Sequence, residues 1–241
     1  MDNLVFVHGY LGGAAQWNSQ VIFLKEDYRI VCLDLPGFGA RCDEIAPDNM
    51  TSFAEFCLAH LTSLGCEKFH LVGHSMGGMV VQEMIRLAPD RIDKLVLYGT
   101  GPVGLLPGRF ELIEESKRRV KDDGPVATAR RISATWFLAQ DKAVQYHVCE
   151  SLAIKVSLQA MLAGLTAMEL WSGADALAAI KSPTLVLWGD GDRTYPWSQA
   201  EQLWTEIANA QLAVVPGCAH AVHLEKPEIF NALVNGFLSS S

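Results

Sequence analysis

Six short apolar runs punctuate the chain: Leu4–Val7, Ile30–Leu33, Phe69–Val72 (interrupted by His70), Leu95–Tyr98, Leu185–Trp188 and Leu212–Val215. They are continuous rather than alternating and rich in Val and Leu, the pattern of strands buried on both faces in a parallel sheet covered by helices. Between them apolar residues recur at helical spacing. Ser52 and Glu55 read as a capping box opening a helix that Gly65 stops. Ser198 and Glu201 read as another, with Ala200, Leu203, Trp204, Ile207 and Ala208 on one face. Pro227 fits the first turn of a last helix whose buried stripe is Ile229, Phe230, Leu233, Val234, Phe237 and Leu238. This alternation predicts an α/β fold, a mostly parallel open sheet of about six strands with flanking helices.

One stretch breaks the rhythm. Residues from about 101 to about 175 hold no strand-like run, but Leu112–Lys121 is amphipathic, Gly124-Pro125 restarts a helix through Trp136, and Ile154–Leu170 is apolar. A parallel crossover needs only a dozen or so residues, and this one is about six times longer. The expectation is a single domain, 1–241, with a core of 1–100 and 176–241 and an inserted helical cap at about 101–175.

Composition narrows the function classes. The chain has 241 residues, half of them hydrophobic, and a formal net charge of −8 with no basic run, which argues against nucleic acid or an anionic membrane as partner. Mean hydropathy is +0.17. No segment reaches the ~18 consecutive apolar residues of a membrane span, and the first residues lack a basic segment followed by an apolar one. The six cysteines are scattered without a CxxC pair and read as reduced core residues. A cytoplasmic protein acting on a small molecule is expected.

The strongest chemical signal is Gly73-His74-Ser75-Met76-Gly77-Gly78, which follows a strand and opens a helix with Val80, Val81, Met84, Ile85 and Leu87 apolar and Gln82, Glu83 and Arg86 polar. That is G-x-S-x-G in the strand–turn–helix setting of a nucleophile elbow. The turn is too tight for side chains on both flanks, and it lifts the serine hydroxyl toward the positive end of the helix dipole. A serine needs a base, itself oriented by a third group. Of seven histidines the best placed is His220, in a loop between the sixth strand and the last helix. His223 is its rival, with local packing as its plainer role. A zinc reading of His220 and His223 fails, since helical ligand pairs sit at i, i+4 and no third ligand is evident. The orienting acid belongs in the loop Gly189–Pro196, where Asp190 and Asp192 both qualify; an Asx-turn is the plain alternative for either.

These motifs, with His8-Gly9-Tyr10-Leu11-Gly12, Asp34-Leu35-Pro36-Gly37-Phe38-Gly39 and His223-Leu224-Glu225-Lys226-Pro227, resemble the α/β-hydrolase superfamily, in its branch of capped esterases, lactonases, perhydrolases and carbon–carbon bond hydrolases. The resemblance implies a triad of Ser75, Asp192 and His220, preferring Asp192 over Asp190 and His220 over His223. It implies an oxyanion hole from the backbone N–H groups of Tyr10 and Met76. It also implies an N-terminally shortened sheet, because only Met1, Asp2 and Asn3 precede the first strand where the family has a hairpin.

Such a constellation implies acyl transfer to water through an acyl-serine. A small to medium carboxylic ester or lactone is the expected substrate, carbon–carbon bond hydrolysis of a dienoate or β-diketone the alternative, and a non-hydrolytic receptor on the same fold a third reading. No dinucleotide fingerprint is present, and no cofactor or metal is expected. Substrate contacts are expected among Trp136, Phe137, Met161, Trp171 and Arg109, although helix packing is the plainer role for most cap aromatics. Arg109, Arg130 and Arg131 are the cations a substrate carboxylate would need; solvated helix charge is the plainer reading of each.

Overall fold

A computed structural model describes residues 1–105 and 111–240. Six strands form one parallel sheet: Asp2–Val7 (β1), Tyr28–Leu33 (β2), Phe69–His74 (β3), Ile92–Tyr98 (β4), Thr184–Gly189 (β5) and Ala210–Val215 (β6). Their order is β2-β1-β3-β4-β5-β6, with Val5 opposite Val31 on one side and Leu71 on the other. All six apolar runs lie on these strands. The central strands are buried on both faces: in β1, Leu4 and Phe6 join one apolar cluster while Val5 and Val7 join the other. The edge strands β2 and β6 are only half-covered, and Gln211 and Val214 face solvent.

Helices α1 (Asn18–Leu24), α2 (Met50–Ser63) and α3 (Met76–Leu87) follow the first three strands, while α8 (Trp197–Glu206), α9 (Val222–Glu225) and α10 (Pro227–Ser239) complete the core. Trp17, Leu24, Phe230, Val234 and Phe237 cover one face of the sheet. Phe53, Leu61, Val80, Met84 and Leu203 cover the other. The chain steps from β1 out to β2 and returns past β1 to β3. The carboxyl ends of β1 and β3 therefore flank a switch point, the place where an open α/β sheet leaves a crevice.

Between β4 and β5 lie α4 (Ile113–Asp122), α5 (Pro125–Ala134), α6 (Tyr146–Ala153) and α7 (Leu158–Glu169). The predicted helix Ile154–Leu170 begins only at Leu158, because residues 154–157 form the break at which the chain turns by 106° between α6 and α7. Ser157 caps the second, its hydroxyl accepting the Ala160 N–H at 3.1 Å. Both predicted capping boxes are displaced. Helix α2 starts earlier, with Asn49 accepting the Ser52 N–H at 2.8 Å, so Ser52 is already inside it. Helix α8 starts at Trp197 behind Pro196, whose extended backbone leaves Ser198 within the first turn. Gly65 ends α2 as expected, in a left-handed conformation (φ 68°). Trp204 and Ile229 are exposed, and Ala208 lies beyond the end of α8. Of the polar positions on α3, Gln82 and Glu83 are buried.

Candidate active site

Ser75 sits between β3 and α3 with φ 58° and ψ −123°, a conformation that costs a non-glycine residue of order 1–3 kcal/mol. The surroundings hold it there. Its N–H donates to the Tyr98 carbonyl at 3.0 Å, and its own carbonyl accepts from Gly78 N–H and Thr100 Oγ1, both at 2.8 Å. The flanking glycines are compulsory: a Cβ on Gly73 would stand 2.5 Å from Val81 Cγ2, and one on Gly77 2.4 Å from the His8 carbonyl oxygen.

The loop after β6 brings His220 to the same crevice. Its Nδ1–H donates to Asp192 Oδ2 at 2.8 Å, with both side chains almost wholly buried. The other Asp192 oxygen accepts the N–H groups of Thr194 (2.7 Å) and Tyr195 (3.0 Å), which ties the carboxylate down. Asp190 faces elsewhere: it accepts from Gly217 N–H (2.7 Å) and Cys218 N–H (3.3 Å), bracing the loop that carries His220. His223 points away into the core, its Nδ1 3.1 Å from the Tyr98 hydroxyl, and burial pushes its imidazole down to about 3. Among the described residues no group of three or more His, Cys, Asp or Glu is arranged to hold a metal ion.

A second loop, after β1, supplies backbone donors. The Leu35 N–H donates to His8 Nε2 at 3.0 Å, so the His8 proton is on Nδ1, which donates to the Gly9 carbonyl at 2.8 Å. Gly12 N–H donates to the same carbonyl at 3.0 Å. The Gly9–Tyr10 peptide is trans, so pinning its oxygen on the His8 side aims the Tyr10 N–H the opposite way. Gly9 also lets this loop close on the elbow, since a Cβ there would lie 2.8 Å from Ser75 Cβ. Burial holds His8 below the usual imidazole range, so it keeps the neutral form this pairing requires.

Behind His220 lies a buried ring cluster. Tyr98 O–H donates to the His220 carbonyl at 2.7 Å, and His74 Nε2 lies 3.1 Å from the same oxygen. The His74 ring sits 4.5 Å from that of His220 and 4.4 Å from Tyr98, and Tyr195 stacks on His220 at 5.6 Å. Burial, reinforced by His220 and His223, keeps His74 neutral well below the usual range. A second positive charge is thus kept away from His220.

The crevice itself is lined by Gly9, Tyr10, Gln16, His74, Ser75, Trp136 and His220. Of the predicted contacts, Trp136 is there, its ring 6.3 Å from His220 and its carbonyl accepting the Ala221 N–H at 2.9 Å. Met161 meets the site through its carbonyl, which accepts the Tyr10 hydroxyl at 3.1 Å. Phe137 is fully buried against Tyr146 and packs the insertion. Trp171 lies on another cavity, donating to Glu83 Oε1 at 3.0 Å. Arg109 lies outside the described residues, as does Phe110. Arg130 pairs with Glu150 and Arg131 with Glu111. Sequence reasoning missed Gln16, whose Nε2 donates to Cys149 Sγ at 3.1 Å, linking the first loop to α6. Nothing in its sequence context marks it; only the fold brings it to the crevice.

The model of the Alpha/beta hydrolase family matches residues 4–233. Among similar proteins is a 2-hydroxy-6-oxononadienedioate/2-hydroxy-6-oxononatrienedioate hydrolase of Comamonas testosteroni, 29% identical, the match covering 99% of this chain and 88% of that one. A bromoperoxidase from Bacillus anthracis superposes with a TM-score of 0.91 at 25% identity, over 99% of this chain and 92% of the other. The enol-lactonase from Burkholderia xenovorans shares the fold, with a TM-score of 0.89 at 21% identity over 99% and 92% of the two chains. A strained serine after β3, a buried Asp–His pair and a family match over nearly the whole length agree: this chain belongs to the Alpha/beta hydrolase family and is an enzyme, a hydrolase.

Proposed function

We propose that this enzyme cleaves a small to medium carboxylic ester or lactone, with Ser75 as nucleophile, His220 as general base and Asp192 as the group that orients it. Asp192 keeps the His220 proton on Nδ1 and so leaves Nε2 free to take the serine proton. The hydroxyl oxygen attacks the carbonyl carbon, and His220 passes the proton to the leaving alcohol. Water then attacks the acyl-serine with His220 again as base. The N–H groups of Tyr10 and Met76 stabilise the developing oxyanion; a single donor of this kind is worth ~2.7–4 kcal/mol. The 101–175 insertion acts as the cap, with Trp136 over the acyl group.

The observation that carries this reading is one crevice shared by a strained Ser75 and a His220 anchored on a buried Asp192. None of the crevice's described residues bears a fixed charge, which favours an uncharged acyl group. Carbon–carbon bond hydrolysis is the second reading, supported by the Comamonas testosteroni relative. Its dioate substrate would need a cation, and Arg130 and Arg131 are already paired with carboxylates. A cytoplasmic location is supported by six free cysteines, among which burial pushes the thiols of Cys57 and Cys149 up to about 12.

The test compares p-nitrophenyl esters, lactones and a dienoate diketone on wild type and Ser75→Ala, with a fluorophosphonate probe. The wild type should label at Ser75 and turn over the esters or lactones, and Ser75→Ala should lose at least ~10³-fold in kcat at unchanged melting temperature. An unlabelled wild type, or a variant that keeps its rate, removes Ser75 from the mechanism. Turnover of the diketone alone selects the second reading.

A further inference from the structure

Glu225, the last residue of α9, gives its two carboxylate oxygens to two distant parts of the chain. Oε2 accepts the Ala219 N–H at 2.6 Å, one residue before His220. Oε1 accepts the Leu138 N–H at 2.7 Å, two residues after Trp136 in the insertion between β4 and β5. Both are charge-assisted bonds, roughly twice as strong as those between neutral groups. The acyl-transfer chemistry gives this carboxylate no part: Asp192 is the acid on His220, and Glu225 does not line the crevice.

Residues 136–138 are thereby held at two points. The Ala221 N–H donates to the Trp136 carbonyl at 2.9 Å, and Glu225 takes the Leu138 N–H. One bond fixes a point and lets the segment pivot about it. A second bond two residues further on fixes its direction, and with it the tilt of the Trp136 ring, which lies 6.3 Å from that of His220. The loop carrying Asp192 closes on the same place. Gly191 N–H donates to the Cys218 carbonyl at 2.8 Å, and a Cβ on Gly191 would stand 2.6 Å from Leu138 Cδ2, so these three segments meet without room for a side chain between them.

We propose that Glu225 is a positioning residue that couples the insertion to His220. Its carboxylate sets the Trp136 ring and the His220 imidazole at one fixed separation, so acyl-length selectivity depends on a residue that touches no substrate. This rests on the reading of Ser75 and His220 as nucleophile and base, with Trp136 over the acyl group.

The two N–H groups respond differently to loss of the carboxylate. Ala219 is fully buried, whereas Leu138 is 40% exposed and its N–H can turn to water. The single carbonyl oxygen of a glutamine therefore goes to Ala219, where an unpaired donor costs more, and its NH2 group faces the Leu138 N–H. Glu225→Gln frees the insertion and keeps the loop; Glu225→Ala frees both.

The test measures, on the full chain, the labelling rates of Ser75 by a short-chain and a long-chain alkyl fluorophosphonate, and kcat and KM on p-nitrophenyl acetate and octanoate. Glu225→Gln should change the long-to-short ratio about tenfold, the scale of discrimination that one apolar contact provides. Glu225→Ala should change it likewise and lose ~10–10²-fold in kcat besides, as a displaced base does. In a Trp136→Ala background, Glu225→Gln should leave the ratio where Trp136→Ala alone puts it, because the effect passes through that ring. Melting curves identify a variant that fails to fold, and either Glu225 variant alone suffices. A carboxylate that only stabilises the fold would lower the melting temperature and leave the ratio alone, or shift it equally in both backgrounds; either result in a folded variant overturns the proposal. A wild type that fails to label at Ser75 overturns the reading of the site and this proposal with it, whereas a labelled wild type with an unchanged ratio in the variants overturns the proposal alone.

Discussion

Replacing Asp192 by Asn tests the site through a consequence the geometry dictates. Asp192 Oδ1 holds two backbone N–H groups at 2.7 and 3.0 Å, while Oδ2 holds His220 Nδ1–H at 2.8 Å. An asparagine must give its single carbonyl to the backbone pair. The opposite orientation would strand two buried donors, at ~1–3 kcal/mol each. Its NH2 group therefore faces His220 Nδ1, which can then only accept. The imidazole proton moves to Nε2, the atom that receives the serine proton in the mechanism we propose. Holding the wrong tautomer costs ~10⁴-fold in kcat, about 5.5 kcal/mol of transition-state stabilisation. The assay is kcat and kcat/KM on a p-nitrophenyl ester for Asp192→Asn and Asp190→Asn, with thermal melting as the control for folding. Asp190→Asn retains an acceptor for the N–H groups of Gly217 and Cys218, so its loss should stay below about tenfold. An Asp192→Asn enzyme with more than about a tenth of the wild-type rate, or an equal loss in the two variants, refutes the reasoning.

The two tryptophans should separate. Trp136→Ala should alter the acyl-length profile of kcat/KM, whereas Trp171→Phe, which removes a donor from buried Glu83, should lower stability by ~1–3 kcal/mol and leave that profile unchanged. Tyr98→Phe removes the hydroxyl bonded to the His220 carbonyl; kcat should fall several-fold with KM unchanged, and an unaltered kcat would show that His74 anchors the loop alone. His223 is held at about 3 in the fold but titrates near ~6.5 when unfolded, so between those values the unfolded chain binds the extra proton. Stability therefore falls on acidification from pH ~6.5, by up to ~1.4 kcal/mol per unit, and is unaffected by this group above that pH. Between pH 6.5 and 5 the wild type should lose about 2 kcal/mol more than His223→Gln in urea unfolding, and parallel slopes would refute this.

The amino-acid sequence by itself determined the sheet and the elbow. Six continuous apolar runs such as Leu4–Val7 and Leu185–Trp188 have the pattern of parallel strands under helices, and each lies on a strand, although only the central ones are buried on both faces. The elbow was legible because its motif is contiguous in sequence: Gly73 stands where a Cβ would collide with Val81 in the helix that follows, although what excludes a Cβ at Gly77 is the distant β1 backbone at Val7 and His8. What depended on non-local geometry was not legible. By composition Asp190 and Asp192 were equivalent and only the family resemblance preferred Asp192; the fold shows that carboxylate on His220 and the other on the Gly217 N–H. The same holds for Gln82 and Glu83, polar residues on an apparently solvent-facing side of α3, which are buried because Trp171 and the Gly101 carbonyl arrive from sequence-distant segments to satisfy them. Trp136 and Trp171 looked alike in sequence, yet one borders the Ser75 crevice and the other a separate cavity. Period and local sterics act over a few residues and can be read along a chain. The choice among chemically equal side chains is made by contacts between residues that only tertiary packing brings together.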